Sequence, residues 1–295
     1  MPSGNPTADR RYAYAQSLRA EGDAAAAADV IAQALELAPA WAEGRFALAE
    51  ALAEANQVEA AAAAYRAYLA VDAGDSMGAA VRLTLLGAAP APAQLPPAYV
   101  ARLFDEYAPR FDAALTERLQ YRGPTLLKEA VSRVRPGGFS RVFDLGCGTG
   151  LSGAAFRDAA DWLGGVDLSP VMIKKAGAKK IYDHLKAGDM TAALAALDRP
   201  CDLILAADVL VYVGDLAALF AAVRAKLTRG GLFAFTVQRA DGGDYVLGRE
   251  HRYNHSRAYL ERCARGAGFS IECLDDAVTR QEAGKDVPGL VAVLV

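Results

Sequence analysis

The sequence is short of the features that mark a secreted, membrane-spanning or zinc-binding protein. Its 295 residues include only four cysteines, and no two of them have the spacing of zinc ligands. These are Cys147, Cys201, Cys263 and Cys273. No apolar run reaches the roughly 18 residues of a membrane span, and the first residues contain no apolar targeting segment. We therefore expect a cytoplasmic protein with reduced thiols and no membrane segment.

The chain also lacks an excess of positive charge. Its 32 basic and 35 acidic side chains give a net charge of −3, which offers no overall field for nucleic acid. Only three histidines occur, and histidines without a cluster of carboxylates make a poor metal site. With 53% hydrophobic and 23% charged residues, the composition is typical of a globular protein. We expect no nucleic-acid partner and no bound metal.

The N-terminal part of the chain is alanine-rich and shows no strand pattern. Segments 22–39 and 56–73 match when one is shifted by about 34 residues, the period of tetratricopeptide repeats. Small Ala15 and Ala27 permit close approach of two helices, and Tyr14 is expected to fill the space between them. The predicted elements are two repeats at 8–41 and 42–75 and a capping helix at 77–86. The alternative is a plain alanine-rich helical bundle.

A change of composition predicts the domain organisation. GAAPAPAQLPP at 87–97 is a proline- and alanine-rich stretch without periodicity, which predicts a linker. It separates a helical domain at 1–86 from a second domain at 98–295. A short repeat array of this kind suits a protein partner or self-association.

After the linker, strand and helix patterns alternate, which predicts a parallel, doubly wound, Rossmann-like sheet of seven strands. The predicted strands are Arg141–Leu145, Trp162–Asp167, His184–Lys186, Cys201–Ala206, Gly231–Val237, 270–274 and 289–295. The predicted helices between them are 124–135, 152–160, 170–180, 191–197 and 215–228. The last two strands have no helix between them, only a polar loop. They predict a terminal hairpin that adds one antiparallel strand to an otherwise parallel sheet.

FDLGCGTG at 143–150 places a glycine loop directly after the first predicted strand, where a doubly wound sheet binds its ligand. Together with Gly153, the loop also matches the dinucleotide pattern GxGxxG. Asp144 argues against a dinucleotide, because a carboxylate repels pyrophosphate and attracts an ammonium or sulfonium group. Asp167 and Asp189 follow the next two predicted strands and suit ribose hydroxyls and an adenine amino group. The acids therefore favour a cationic nucleoside, S-adenosylmethionine.

These motifs resemble the class I S-adenosylmethionine-dependent methyltransferases over residues 95–295. FDLGCGTG is similar to the first motif of that family, GVDLSPVMIKKA to the second, and AGDM to the adenine motif. FDEYAPRFDAAL at 104–115 resembles the helix that precedes the sheet in small-molecule members. The N-terminal helices resemble those of a bacterial subgroup that carries tetratricopeptide repeats. The resemblance implies S-adenosylmethionine as methyl donor and S-adenosylhomocysteine as product.

The resemblance also implies ten residues that bind the donor. They are Tyr107, Asp144, Gly146, Gly148 and Asp208 at the methionine and methyl end, Asp167 at the ribose, and Leu168, Met172, Asp189 and Met190 at the adenine. Two of these have a structural alternative, since Met172 suits a core position and Asp208 can cap the segment that follows it.

The segment GREHRYNHSRAYL at 248–260 is expected to overhang the methyl group, because it follows the fifth predicted strand. It carries two candidate bases, a cation and an aromatic hydroxyl. These candidate catalytic residues are His251, His255, Arg252 and Tyr253. In this hypothesis Arg252 binds an anionic group and one histidine accepts a proton. The alternative is that Ser256 caps a helix and the charged residues face solvent.

The sequence thus predicts a methyltransferase that acts on oxygen, nitrogen or sulfur of a small molecule. The candidate arginine is suited to binding an anionic molecule of this kind. A protein methyltransferase whose repeats dock a polypeptide is the alternative function. A third possibility is a non-catalytic module that keeps the nucleoside pocket as structure, which the complete set of acids argues against.

Overall fold

The computed structural model describes residues 2–113, 120–282 and 284–295. The chain divides into two compact units, Met1–Tyr99 and Val100–Val295. In the part of the chain that is described, no helix is long and apolar enough to cross a membrane.

The first unit is a succession of helices, each packed on the next. They are α1 (Pro6–Ala20), α2 (Ala24–Leu37), α3 (Ala42–Glu54), α4 (Val58–Leu69) and α5 (Ala79–Leu85). Ala15, Ala27 and Ile31 are fully buried in one cluster, so the helices approach closely where the sequence has small residues. Tyr14 does not fill that space as expected, because it is 59% exposed. Tyr12 is the tyrosine that packs inward, edge-on against Trp41.

Strands and helices alternate through most of the remainder of the chain. The helices are α6 (Pro97–Tyr107), α7 (Phe111–Ala113), α8 (Gly123–Val134), α9 (Leu151–Phe156), α10 (Pro170–Ala178), α11 (Met190–Ala195), α12 (Ala217–Ala225) and α13 (Arg257–Gly266). The strands are β1 (Phe139–Leu145), β2 (Ala160–Asp167), β3 (His184–Ala187), β4 (Cys201–Ala206), β5 (Leu227–Arg239), β6 (Tyr245–Leu247), β7 (Tyr253–His255), β8 (Ile271–Glu282) and β9 (Lys285–Leu294).

The sheet is mostly parallel, as predicted. Its central order is β3-β2-β1-β4-β5, with every pair parallel. β9 then pairs antiparallel with both β5 and β8, which confirms the antiparallel hairpin at the end. The strands of that hairpin are longer than predicted, because the segment taken as a polar loop continues the β8–β9 pairing.

The predicted count of seven strands needs correction, since the described residues form nine. The two additional strands, β6 and β7, have three residues each, too few for a periodic pattern to show in the sequence. β7 pairs parallel with β5 at Gln238 and Arg239, beyond the last pairing of β4 at Phe235. β6 pairs antiparallel with β7 and is a second antiparallel strand that was not predicted.

Both faces of the sheet are buried, which explains the nearly continuous apolar runs of the strands. Along β5, Phe233 and Phe235 face a core that includes residues of α11, α12 and α13. The alternate residues Leu232 and Ala234 face a second core, which includes residues of α8 and α9. Phe220 of α12 is fully buried in the first core. Its ring lies edge-on to Phe233 and Phe235, with centroid distances of 5.4 and 5.3 Å.

The Phe220→Ala substitution tests the importance of this aromatic core. Removing a fully buried ring leaves a cavity, so we expect the free energy of unfolding to fall by about 3–5 kcal/mol. Chemical denaturation monitored by circular dichroism measures the change. Ile271→Ala on β8 is the control, because Ile271 is 37% exposed and its loss should cost less than about 1.5 kcal/mol. Equal losses in the two variants would contradict this description of the core.

Candidate active site

The glycine loop joins β1 to α9 at the carboxyl edge of the sheet. Gly146 has a φ of +65°, and a Cβ on this residue would lie 2.3 Å from Cγ2 of Val209. A larger residue therefore fits neither the backbone conformation nor the space. Gly146 and Gly148 both line a cavity of about 400 Å³.

Asp167 ends β2 and is held by the glycine loop. Its carboxylate accepts hydrogen bonds from the backbone N–H of Gly148 at 2.9 Å and of Ser169 at 2.8 Å. Burial raises the pKa of this carboxyl group, and the two N–H donors oppose that shift. Asp167 lines the cavity next to Leu168, so its carboxylate lies where ribose hydroxyls were expected.

Asp144 does not lie where the sequence predicted. It is fully buried and is not among the residues that line the cavity. The hydroxyl of Tyr182 donates a hydrogen bond of 2.7 Å to its Oδ2, whereas Oδ1 has no partner among the described residues. Burial raises the pKa of Asp144 to about 7, with the hydroxyl of Tyr182 opposing and Asp167 adding to the shift.

Gly153, the last glycine of the dinucleotide-like pattern, serves Tyr182 rather than a ligand. A Cβ on Gly153 would lie 2.3 Å from the hydroxyl oxygen and Cζ of Tyr182. The missing side chain leaves room for the ring that reaches Asp144. In this chain, the last glycine of the GxGxxG match is therefore explained by packing against Tyr182 rather than by ligand binding.

The structure divides the ten predicted donor-binding residues into two groups. Seven line the cavity: Tyr107, Gly146, Gly148, Asp167, Leu168, Met190 and Asp208. Three do not: Asp144, Met172 and Asp189. Met172 is fully buried in the interior, in agreement with its structural alternative. The Asp189 side chain caps α11 by accepting a hydrogen bond of 2.9 Å from the N–H of Ala192.

Aromatic residues form another wall of the cavity. Phe104 and Tyr107 of α6 both line it, together with Phe111 and Tyr212. Phe104 packs edge-on against Phe111 and Tyr212, with centroid distances of 6.0 and 5.5 Å. Phe104, Tyr107 and Phe111 belong to the segment 104–115 predicted to precede the sheet, of which 114–115 lie outside the described residues. The wall gives the cavity an apolar side.

Charged side chains meet on the wall nearest β4 and β8. Asp208 follows β4 and receives two hydrogen bonds of 2.8 Å from Nη1 of Arg280. Glu282 accepts a hydrogen bond of 3.1 Å from Nε of Arg280 and another from Arg252. We call these four residues the charged cluster, and all of them line the cavity. Asp208 was considered as a residue that caps the segment after it. Its carboxylate also forms an ion pair with Arg280.

The four candidate catalytic residues separate in the structure, and of them Arg252 lines the cavity. His255 is fully buried, with Nε2 at 2.9 Å from the carbonyl oxygen of Val213. Burial lowers the pKa of His255 to about 4, with the carbonyl oxygens of Val213 and Gly214 opposing the shift. Tyr253 is also fully buried, edge-on to Tyr245. His251 has a positive φ of 59° and is absent from the cavity lining.

Sequence reasoning missed several residues of the cavity wall. They are Phe104, Phe111, Tyr121, Tyr212, Arg280 and Glu282. Arg280 and Glu282 lie in the stretch that was taken as a polar loop, and no apolar pattern marked that stretch as a strand. The alternation of TRQE at 279–282 is the available signal, because Arg280 and Glu282 share one face of β8.

The cavity suits a cationic nucleoside of moderate size. Its nucleoside side has an acid, Asp167, and two glycines without Cβ atoms, and no lysine or histidine is present among the described lining residues. The residues therefore fit S-adenosylmethionine better than a pyrophosphate, which would need positive charge or free N–H groups. In the described part of the chain, no group of three or more metal-ligating side chains is found.

Asp167 and Asp189 provide a matched test of this arrangement. In Asp167→Asn, an amide group would face one of two backbone N–H donors, so we expect the Kd for S-adenosylmethionine to rise at least about tenfold, about 1.4 kcal/mol. In Asp189→Asn the capping oxygen is retained outside the cavity, and the Kd should stay within about threefold. Isothermal titration calorimetry measures both. A larger effect at Asp189 would show that the ligand lies elsewhere.

Asp144 should make the stability of the ligand-free protein depend on pH. Its folded-state pKa of about 7 lies above the ordinary value of about 3.9, so its stabilising contribution is complete below pH 4 and is lost as pH rises through 7. Asp144→Asn cannot ionise, and its stability relative to the unchanged protein should rise by about 3 kcal/mol between pH 5 and pH 8. Urea denaturation at both pH values measures this change.

Tyr182→Phe is the contrasting variant. Without the hydroxyl group that supports the ionised carboxylate, the pKa of Asp144 should rise further. The variant should therefore lose more stability than the unchanged protein between pH 5 and pH 8. A parallel pH dependence in Asp144→Asn and the unchanged protein would rule out ionisation of Asp144 as the cause.

Comparisons with known proteins concern the family and the fold of the chain. A family model described as a methyltransferase domain matches residues 99–274. The malonyl-[acyl-carrier protein] O-methyltransferase of Pseudescherichia vulneris is 29% identical over 137 residues, which cover 46% of this chain and 52% of that protein. The chain thus spans about half the length of this curated relative.

Two solved structures share the fold. The N-methyltransferase NodS from Bradyrhizobium japonicum WM9, in complex with S-adenosyl-L-homocysteine, has a TM-score of 0.52 and 17% identity, and the match covers 66% of this chain and 97% of that one. The putative methyltransferase bound to a methyltransferase activator in Haloferax volcanii has a TM-score of 0.51 and 20% identity, over 65% of this chain and 96% of that chain. Since the family model covers more than half of the chain, this protein belongs to the methyltransferase domain family.

Proposed function

We propose that the protein transfers the methyl group of S-adenosylmethionine to a small, anionic molecule bound beside the charged cluster. The observation that carries this proposal is the continuous cavity that joins the glycine loop and Asp167 to Arg252 and Arg280. The first two features suit the donor, and the arginines suit a negatively charged acceptor.

The strand order supports a nucleoside at one end of the cavity and the acceptor at the other. Asp167, Gly188 and Met190 lie at the ends of β2 and β3, so the ribose and adenine would bind there. Asp208 follows β4 on the other side of β1. The reactive methyl group would therefore lie near the glycine loop, between the nucleoside and the charged cluster.

The residues of the chain would act mainly by positioning the reactants. The bound donor supplies a methyl group already activated by its sulfonium charge. Phe104, Tyr107 and Tyr212 would exclude water from it. The charged cluster would hold the acceptor in line with the methyl–sulfur bond, and such alignment lowers the barrier without a covalent intermediate.

A protein methyltransferase is the second candidate function. The helices of the first unit are the feature that favours it, as a surface for docking a polypeptide. The relative from Pseudescherichia vulneris is named for a malonyl group carried on a protein, which also suggests a small acyl acceptor presented by a larger molecule. The aromatic wall supports a small reacting group in either function.

Transfer of label separates these functions. Full-length protein would be incubated with methyl-labelled S-adenosylmethionine and with cell extract divided by size into metabolites and macromolecules. We expect label in the metabolite fraction, because the cavity of about 400 Å³ suits a small acceptor. Asp167→Asn serves as the control with impaired donor binding. Label found in polypeptide alone would favour the second candidate.

A further inference from the structure

Beside the charged cluster, the described residues of the cavity wall include no group suited to accept a proton from the acceptor, since Asp167 lies at the nucleoside end. Among its described residues there is no histidine or lysine, and Cys147 is held as the thiol because burial raises its pKa. Burial also raises the pKa values of Tyr121 and Tyr212, so neither phenol is readily ionised. General-base catalysis needs a group whose pKa lies near the working pH.

The acids of the charged cluster are also unsuited to that role. Both oxygens of Asp208 accept hydrogen bonds from Arg280. Burial acts to raise the pKa of Glu282, but Arg280 and Arg252 outweigh it, so the pKa lies below its ordinary value. The carboxylate of Glu282 therefore binds a proton weakly, and that of Asp208 has both oxygens engaged by Arg280. Among the described residues of this wall, an acceptor that loses a proton during transfer would find no free base.

The cluster does offer unused capacity to bind an anion. Arg280 is 1% exposed, and its Nη1 and Nε donate to Asp208 and Glu282. Its buried Nη2 has no hydrogen-bond partner among the described residues. Buried polar atoms are almost always paired in folded proteins, so an unpaired guanidinium nitrogen on a cavity wall indicates a ligand oxygen. Arg252 lies on the same wall, on the other side of Glu282.

We propose that the methyl acceptor is a carboxylate and that the product is its methyl ester. This inference rests on the proposed function and specifies its substrate class. One carboxylate oxygen would bind to Nη2 of Arg280, and the other would attack the methyl carbon. An oxygen–carbon bond forms as the carbon–sulfur bond breaks, and its electron pair goes to sulfur. No proton is released, so the step needs no base.

The chemistry of the product distinguishes a carboxylate from other acceptors. Mild alkali hydrolyses a methyl ester and releases volatile methanol, whereas methyl groups on amines, thioethers and ethers stay bound. Full-length protein would be incubated with methyl-labelled S-adenosylmethionine and with the metabolite and macromolecule fractions separately. Each product would then be treated with alkali, and the volatile label counted.

We expect most transferred label to become volatile, and the fraction that carries it shows whether the carboxylate is free or attached to a protein. Transferred label that stays bound in alkali would overturn the carboxylate inference and leave the proposed methyl transfer intact. If no label is transferred while the donor still binds, the proposed function fails together with the inference.

Arg280→Lys tests the role of the guanidinium group. Lysine keeps the charge but lacks the planar fork that places separate nitrogens against Asp208, Glu282 and a bound carboxylate, so we expect formation of alkali-labile product to fall at least about tenfold. The Kd for S-adenosylmethionine should change less than about threefold, which shows that the fold and donor site persist. Arg249→Gln is the control, because Arg249 is exposed in the same segment as Arg252 and does not line the cavity.

Arg252→Gln is measured in parallel, in case Arg280→Lys does not fold. Its side chain is 23% exposed, so its replacement disturbs the interior less. We expect loss of alkali-labile product and little change in donor affinity. Full ester formation in either folded variant would overturn the assignment of that arginine to the carboxylate.

Discussion

The whole site depends on the register of three parallel strands. Asp144 of β1 lies opposite Gly165 of β2 and Leu205 of β4, so the three strands end together at one edge of the sheet. Their loops must therefore leave the sheet side by side. This single constraint brings together the glycine loop, the carboxylate of Asp167 and the carboxylate of Asp208, which are far apart in the sequence.

The same constraint brings three acids to one edge of the sheet, Asp144 buried and Asp167 and Asp208 partly exposed, and the fold stabilises each in a different way. Asp144 accepts from the hydroxyl of Tyr182, Asp167 from two backbone N–H groups, and Asp208 from the guanidinium of Arg280. Only the last is neutralised by a full opposite charge. Asp167 therefore has no cation paired with it among the described residues that would compete with a cationic donor, whereas the wall around Asp208 pairs two acids with two arginines and keeps a donor for an anion.

The fold could be predicted from the sequence where the pattern of buried residues is regular. The apolar strands, their order along the chain and the glycine loop could be predicted because both sheet faces are buried and each strand ends in a turn. Asp167 could be placed from its position at a strand end. Asp144 could not, because its burial depends on Tyr182, which lies in a loop far along the chain. The choice between cavity and interior depends on side-chain direction, which spacing alone does not give.

The charged wall could not be predicted for a related reason. Arg280 and Glu282 lie on β8, where polar residues looked like a loop because the strand faces a polar cavity rather than the core. The segment 248–260 was predicted to be catalytic largely because of its histidines, yet Arg252 is the candidate that lines the cavity. The surface that a strand faces is thus a better indicator of which residues line the cavity than the chemical reactivity of the residue types.

The aromatic and charged walls together suit a reaction that removes charge. A sulfonium and a carboxylate carry opposite charges, whereas a thioether and an ester carry none. A cavity lined by Phe104, Tyr107 and Tyr212 has a lower dielectric constant than water, which strengthens the attraction between the reacting charges. The products are neutral, so this electrostatic attraction no longer holds them, and they leave the cavity more readily. Arg280 can therefore orient the acceptor through one oxygen while its own charge is offset by Asp208, so that the other oxygen remains a nucleophile.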